Sequence, residues 1–271
     1  MLAQRTGVPL VELNFQFSFG YAQENNDELG YTNFMMDMLN EGTKKYSSLQ
    51  FDEVLDSLGS NLGFGSGLDT SYVTVSTLKA NLSETLDLAK EALIYPTFPQ
   101  KEIDRIKKQT LASIVQEENR PAAIAYRNIG KLLYGQNHPY GKPLTGSGIS
   151  ETISEITRDN IIAVHSRAIN PTNLTFAVAG DIQLDELVEI LEDKFGNWSG
   201  NTNSNLKELN KVPLPNTRRV YLIDKPNAQQ SYIVAGQLLP PSATDEEIKI
   251  GYMNYAIGAV SYTHLTLPTI A

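Results

Sequence analysis

Three histidines and no cysteine restrict the metal and nucleophile chemistry open to this 271-residue chain. A helical zinc site needs two strong donors one turn apart, and neither His138 nor His165 has a His or Glu at i+3 or i+4. His138 lies in a Pro-Tyr-Gly turn and His165 in an otherwise apolar helix, so both read as packed or exposed histidines without catalytic work. The absence of cysteine removes disulfides, iron–sulfur clusters and thiolate zinc sites together. Gly63-Phe64-Gly65-Ser66-Gly67 is glycine-rich but lacks the spacing of a phosphate loop and leads into a strand, so it reads as strand-turn-strand backbone. Gly63, Phe64 and Gly65 would then form a smooth sheet edge that a peptide can approach. No G-x-S-x-G elbow is present, and the carboxylate pairs Glu117-Glu118 and Glu246-Glu247 read as solvated helix surface.

With 41% hydrophobic and 20% charged residues the chain has the composition of a globular protein able to bury a core. A net charge of −9 and basic residues no denser than the pairs Lys44-Lys45 and Arg218-Arg219 argue against nucleic acid as a partner. No apolar run approaches the ~18 residues of a membrane span, and no basic-then-apolar leader follows Met1.

The elements that must position any site follow from periodicity. Val8 to Phe19 alternates Val11, Leu13, Phe15, Phe17 and Phe19 with polar residues, which predicts a half-buried strand. Helices are expected at Gly30–Leu39 and Leu49–Leu58, and a hairpin at Asn61–Ser66 and Ser71–Leu78. Further helices are expected at Leu82–Ile94, Gln100–Glu118, Ala122–Leu133, Thr157–Ala168 and Leu184–Phe195, with a strand at Leu174–Ala179. This order predicts an α+β fold in which helices back one face of a mixed or antiparallel sheet.

Residues 1–200 form the first domain in this reading, and the Asn-, Ser-, Thr- and Pro-rich stretch 201–216 a linker. A second, truncated copy of the fold occupies 217–259, with strands at Arg219–Ile223 and Ser231–Gly236 and a helix at Asp245–Ile257. Val260 to Leu265 resembles the translated end of a transposon adaptor, so 260–271, including His264, is set aside as a sequence artefact.

Read whole, Gly30-Tyr31-Thr32-Asn33-Phe34-Met35-Met36-Asp37-Met38-Leu39-Asn40-Glu41-Gly42-Thr43 resembles the zinc-binding helix of the insulinase/pitrilysin metallopeptidases. In that family a Gly precedes H-x-x-E-H, and Met-Leu and Gly-Thr follow. Pro96-Thr97-Phe98-Pro99, Asn137-His138-Pro139-Tyr140-Gly141, Ile169-Asn170-Pro171-Thr172-Asn173, Ala179-Gly180-Asp181 and Phe195-Gly196-Asn197-Trp198 fall in family order, so the resemblance runs from about Val8 to Ala259. It implies two His ligands, a Glu that activates the metal-bound water and a third ligand on a later helix. Those positions fall on Asn33, Asp37, Met36 and, near the last, Ser113. None is the residue the chemistry needs. The resemblance therefore implies a half without zinc, supplying chamber wall and peptide contacts to a catalytic half that carries the metal. The other function it implies is that of a structural core-type subunit in a larger complex. Large relatives of this kind are exported to the cell envelope, which makes the periplasm the expected compartment.

Overall fold

The alternation in Leu10–Phe17 does what the sequence demands of it. Val11, Leu13, Phe15 and Phe17 are at most 2% exposed, while Glu12 and Gln16 face water. The computed structural model describes residues 1–200, 206, 207, 209, 212, 213, 217–239 and 246–258, with 257 and 258 by backbone alone. Residues 1–234 form one compact unit and 235–271 a second.

Five strands build the sheet of the first unit: β1 (Leu2–Gln4), β2 (Leu10–Phe17), β3 (Asn61–Ser66), β4 (Ser71–Leu78) and β5 (Leu174–Gly180). They lie in the order β1-β5-β2-β4-β3, antiparallel except for the parallel β1–β5 pair. Register places Phe15 between Val73 of β4 and Phe176 of β5. Its ring meets Phe176 and Phe195 edge-on at 4.9 and 5.4 Å. Burying one such ring is worth about 1.5–3 kcal/mol, before the edge-on contacts are added. On the other face Gln16 stands opposite Tyr72 and Glu12 opposite Ser76, whose hydroxyl donates to the Glu12 carboxylate at 2.5 Å.

The helices are α1 (Tyr31–Asp37), α2 (Ser48–Ser57), α3 (Leu82–Ile94), α4 (Gln100–Glu117), α5 (Pro121–Tyr134), α6 (Ser150–Glu155), α7 (Arg158–Ala168) and α8 (Leu184–Phe195). In α3 the buried set Leu82, Leu86, Ala89, Ala92 and Leu93 recurs at helical spacing and joins the core of the sheet. Ser47 and Thr157 close reciprocal capping boxes with Gln50 and Asn160 at the starts of α2 and α7. The α+β architecture and the helix-backed sheet are those the sequence implies.

Several expectations need correction. Helix α1 ends at Asp37 and not at Leu39, because Met38, Leu39 and Asn40 tighten into a turn. Strand β1 and helix α6 were not anticipated, being only 3 and 6 residues long and too short to show a period. Arg219–Ile223 and Ser231–Gly236 form no strands. Val220 and Leu222 are 95% and 94% exposed and Ile233 72%, so among the described residues these apolar side chains meet no core, and a hairpin without one is marginal in water. The helix expected at Asp245–Ile257 is present as α9 (Glu246–Gly258), within the second unit. Most of the stretch read as a linker, and all of 260–271 including His264, lies outside the described residues.

Candidate functional site

Helix α1 is short, and its N-terminus is fixed by a buried polar clamp. Gly30 caps it at a φ of 92°, a left-handed conformation that glycine adopts without penalty. A side chain there would also strike the loop from α5 to α6, since a Cβ on Gly30 would stand 2.8 Å from the Gly148 Cα. The Glu24 carboxylate, 3% exposed, accepts hydrogen bonds from the amides of Gly30 (2.9 Å) and Thr32 (2.7 Å). Lys142 is buried beside it and donates to the carbonyls of Tyr21 and Ala22, each at 3.1 Å, and to that of Glu24. Burial raises the Glu24 carboxyl to about 7, against the opposing pull of the two amides and Lys142. Burial likewise lowers the Lys142 ammonium to about 8, with Glu24 pulling the other way.

Beyond this clamp α1 presents Asn33 and Asp37 to a cavity of about 550 Å³. Glu41, Phe64 of β3, Arg105, Gln109 and Ser113 of α4, and Thr145 and Ser147 also line it. The loop carrying Thr145 and Ser147 lies against Asn33, since a Cβ on Gly146 would come within 2.2 Å of the Asn33 amide nitrogen. Arg127, only 9% exposed in its side chain, ties that loop to α4. It donates to Glu117 at 2.7 Å, to the Ser147 hydroxyl at 2.8 Å and to the Gly148 carbonyl at 2.8 Å. Ser147 in turn donates to Glu117 at 2.7 Å. Glu117, read from sequence as surface charge, is instead half of a shielded brace across the Pro121 break.

Arg105 is held on both sides, pairing with Glu41 and with Glu102 at 2.7 Å. Glu41 also accepts from the Ser48 hydroxyl at 2.8 Å. Asp37 lies open to solvent through the cavity while protein surrounds it on its other sides. Its carboxyl is raised to about 6, first by burial and then by the nearby Glu41.

A catalytic zinc needs three protein ligands drawn from His, Cys, Asp or Glu. Asn33, Asp37 and Ser113 supply one carboxylate, an amide and a hydroxyl, and the next carboxylate, Glu41, is already engaged by Arg105. The residues present do not fit the metal. Among the described residues no group of three or more His, Cys, Asp and Glu is disposed to hold one. The structure brings Asn33, Asp37 and Ser113 to one cavity but not Met36, which is fully buried among core side chains. Gly63 and Gly65 also point away from it. A Cβ on either would run into Thr74 or Tyr72, at 2.6 and 2.5 Å, beneath those side chains of β4. Only Phe64 turns toward the cavity. His165 is packed, its Nε2 at 2.9 Å from the Leu93 carbonyl and its ring edge-on to Phe98. His138 stacks on Tyr134 at 5.0 Å and accepts the Tyr140 amide on Nδ1 at 3.0 Å. Arg127 and Lys142 carried no sequence signal as parts of a site, because their partners lie on other elements at no regular spacing.

The profile of the insulinase family (peptidase family M16) matches residues 1–148, and that of the peptidase M16 inactive domain matches 155–267. The chain belongs to peptidase family M16. It is 25% identical over 198 residues to an uncharacterized zinc protease of Rickettsia felis, covering 73% of this chain and 47% of that protein. It is 24% identical to the non-peptidase homolog YmxG of Helicobacter pylori, over 69% of this chain and 42% of that one. The probable zinc protease PqqL of Escherichia coli is 27% identical over 70% of this chain and 21% of its own length. The chain thus spans about half the length, or less, of these curated relatives. Among solved structures, a peptidase M16 inactive domain from Pseudomonas fluorescens superposes with a TM-score of 0.72 at 26% identity, over 79% of this chain and 51% of that one. The periplasmic protease PqqL shares the fold, with a TM-score of 0.68 at 20% identity over 75% of this chain and 23% of that chain. Among the described residues no helix is long and apolar enough to cross a membrane.

Proposed function

We propose that this chain is a non-catalytic half or subunit of an M16 zinc metallopeptidase, in which it forms chamber wall and peptide-binding surface for a zinc-carrying catalytic half. The observation that carries the reading is the donor set of the cavity. Asn33, Asp37 and Ser113 line it where the family resemblance calls for ligands, and Met36 is packed into the core where that resemblance calls for a general base. A cavity so lined contacts a polymer through hydrogen bonds and charge without activating water. Strand β3 ends the sheet with one edge unpaired among the described residues, and Phe64 turns from it toward the cavity, which suits a wall along which an extended peptide lies. The name of the Helicobacter relative, a non-peptidase homolog, agrees with an inert member. That of PqqL, a periplasmic protease whose first half has been solved alone, agrees with a two-half arrangement in the cell envelope. In the same proposal 1–200 is one domain, 201–216 a linker and 217–259 the start of a second.

The test is a peptidase assay on the purified chain with unstructured peptides, with and without a chelator. The reading predicts no chelator-sensitive cleavage. Cleavage that survives repurification and stops with the chelator would reject it.

A further inference from the structure

Two lysines from the chain beyond α8 reach back onto the elements that frame the cavity. Lys207 lies against the segment that leads into α1. Its backbone amide donates to the Gln23 Oε1 at 2.6 Å, and its ammonium to the Glu24 carbonyl at 2.6 Å and the Asn25 Oδ1 at 2.9 Å. That Glu24 carbonyl also accepts from Lys142, while the Glu24 carboxylate holds the amides of Gly30 and Thr32. Lys225 lies at the C-terminal end of α4, where its ammonium donates to the Glu118 carbonyl at 3.3 Å and the Asn119 Oδ1 at 2.9 Å. The carbonyls left free at a helix end favour a cation there. One residue earlier, Glu117 holds Arg127 and Ser147. The two ties thus land on the start of α1, which carries Asn33, and on the brace of the loop that carries Thr145 and Ser147.

Both ties are easy to release. Lys207 is exposed, and water can serve the oxygens that it and Lys225 hold. Lys142 is kept below its ordinary value first by burial and also by the charge of Lys207, so seating Lys207 works against the clamp it touches. We propose that Lys207 and Lys225 strap both walls of the cavity to the chain beyond α8, so that drawing this chain away loosens the start of α1 and the Thr145–Ser147 loop together. A partner or a following domain that pulls on the chain would thereby open the cavity. The strap acts whatever enters the cavity, so it stands or falls apart from the peptide-wall reading.

The full chain has no cysteine, so Asn33→Cys installs a lone thiol against the loop that carries Gly146. Its rate of alkylation by a bulky maleimide reports the opening of that wall. Adding Lys207→Ala or Lys225→Ala should speed alkylation about fivefold, the shift in open population when one charge-assisted hydrogen bond is lost, and the double variant should exceed either. Val75→Cys, in the core of β4, is the control for unfolding and should not respond. Hydrogen exchange of the double lysine variant without an added cysteine gives a second reading, with faster exchange expected at residues 30–33 and 145–148 and none in β2 or β4. Unchanged alkylation in both lysine variants overturns the strap. So does a response to one lysine alone, which leaves a tether on a single wall, or an equal acceleration at Val75→Cys, which is loss of the fold.

Discussion

On helix α1, Met35 and Met36 point into the core and are fully buried, whereas Asn33 and Asp37 open onto the cavity. The two faces are separated by a single residue step. On the inner face shape and apolarity are fixed by contact with the sheet, and any polar atom would be stranded. On the outer face Asp37 is exposed and Asn33 only half-buried, so packing constrains their side chains less. Framework and chemistry are therefore separable within two turns of one helix, and substitutions on the two faces should behave differently.

The widest contrast is in metal binding. Asn33→His, Asp37→His and Ser113→Glu together should create measurable zinc affinity by isothermal titration, because His at i and i+4 of α1 share the cavity face. Turnover should stay near background, since the hydrogen bonds that orient zinc ligands are lacking. No zinc binding by a folded variant would mean that the cavity does not correspond to the family's metal site. Adding Met36→Glu to complete the motif should damage the fold instead of restoring activity. A carboxylate at that fully buried position should cost about 3–5 kcal/mol in denaturant unfolding. An unchanged midpoint would show that Met36 can turn to the cavity.

Next in size is the clamp. Glu24→Ala strands the amides of Gly30 and Thr32 and leaves Lys142 buried without its countercharge, so a loss of about 3 kcal/mol is expected by the same method. The smallest effect belongs to the outer face, where Asp37→Ala should change stability at neutral pH by only about 0.5 kcal/mol. Its signature is in pH instead. Asp37 and Glu24 are easier to protonate folded than unfolded, so their contribution is complete below their ordinary values near 4 and is lost as pH rises through about 6 and about 7. Asp37→Asn should flatten the fall in unfolding midpoint between about pH 4 and 6, leaving the Glu24 part in place. A profile identical to that of the unmodified chain would contradict the raised Asp37 carboxyl.

Much of this frame was legible in the sequence. β3, β4, α3 and α8 fall where alternation and helical spacing put them, because each has one face pressed to the core. The same rule misled at Arg219–Ile223 and Ser231–Gly236, where apolar residues alternate but meet no core among the described residues. In the site, the motif order led to Asn33, Asp37 and Ser113, which do share a cavity. It could not show that Met36 turns inward, since one step around a helix separates burial from exposure. Nor could it find the Arg127–Glu117–Ser147 brace or the Glu24–Lys142 clamp, whose partners lie far apart in the chain and meet only through tertiary packing.

Zinc content tests the central claim most directly. After dialysis against metal-free buffer, elemental analysis of the purified chain should find zinc far below one atom per chain, and titration should show affinity no tighter than about micromolar for so poor a donor set. One zinc per chain that survives dialysis and is lost on Asp37→Ala would contradict the account.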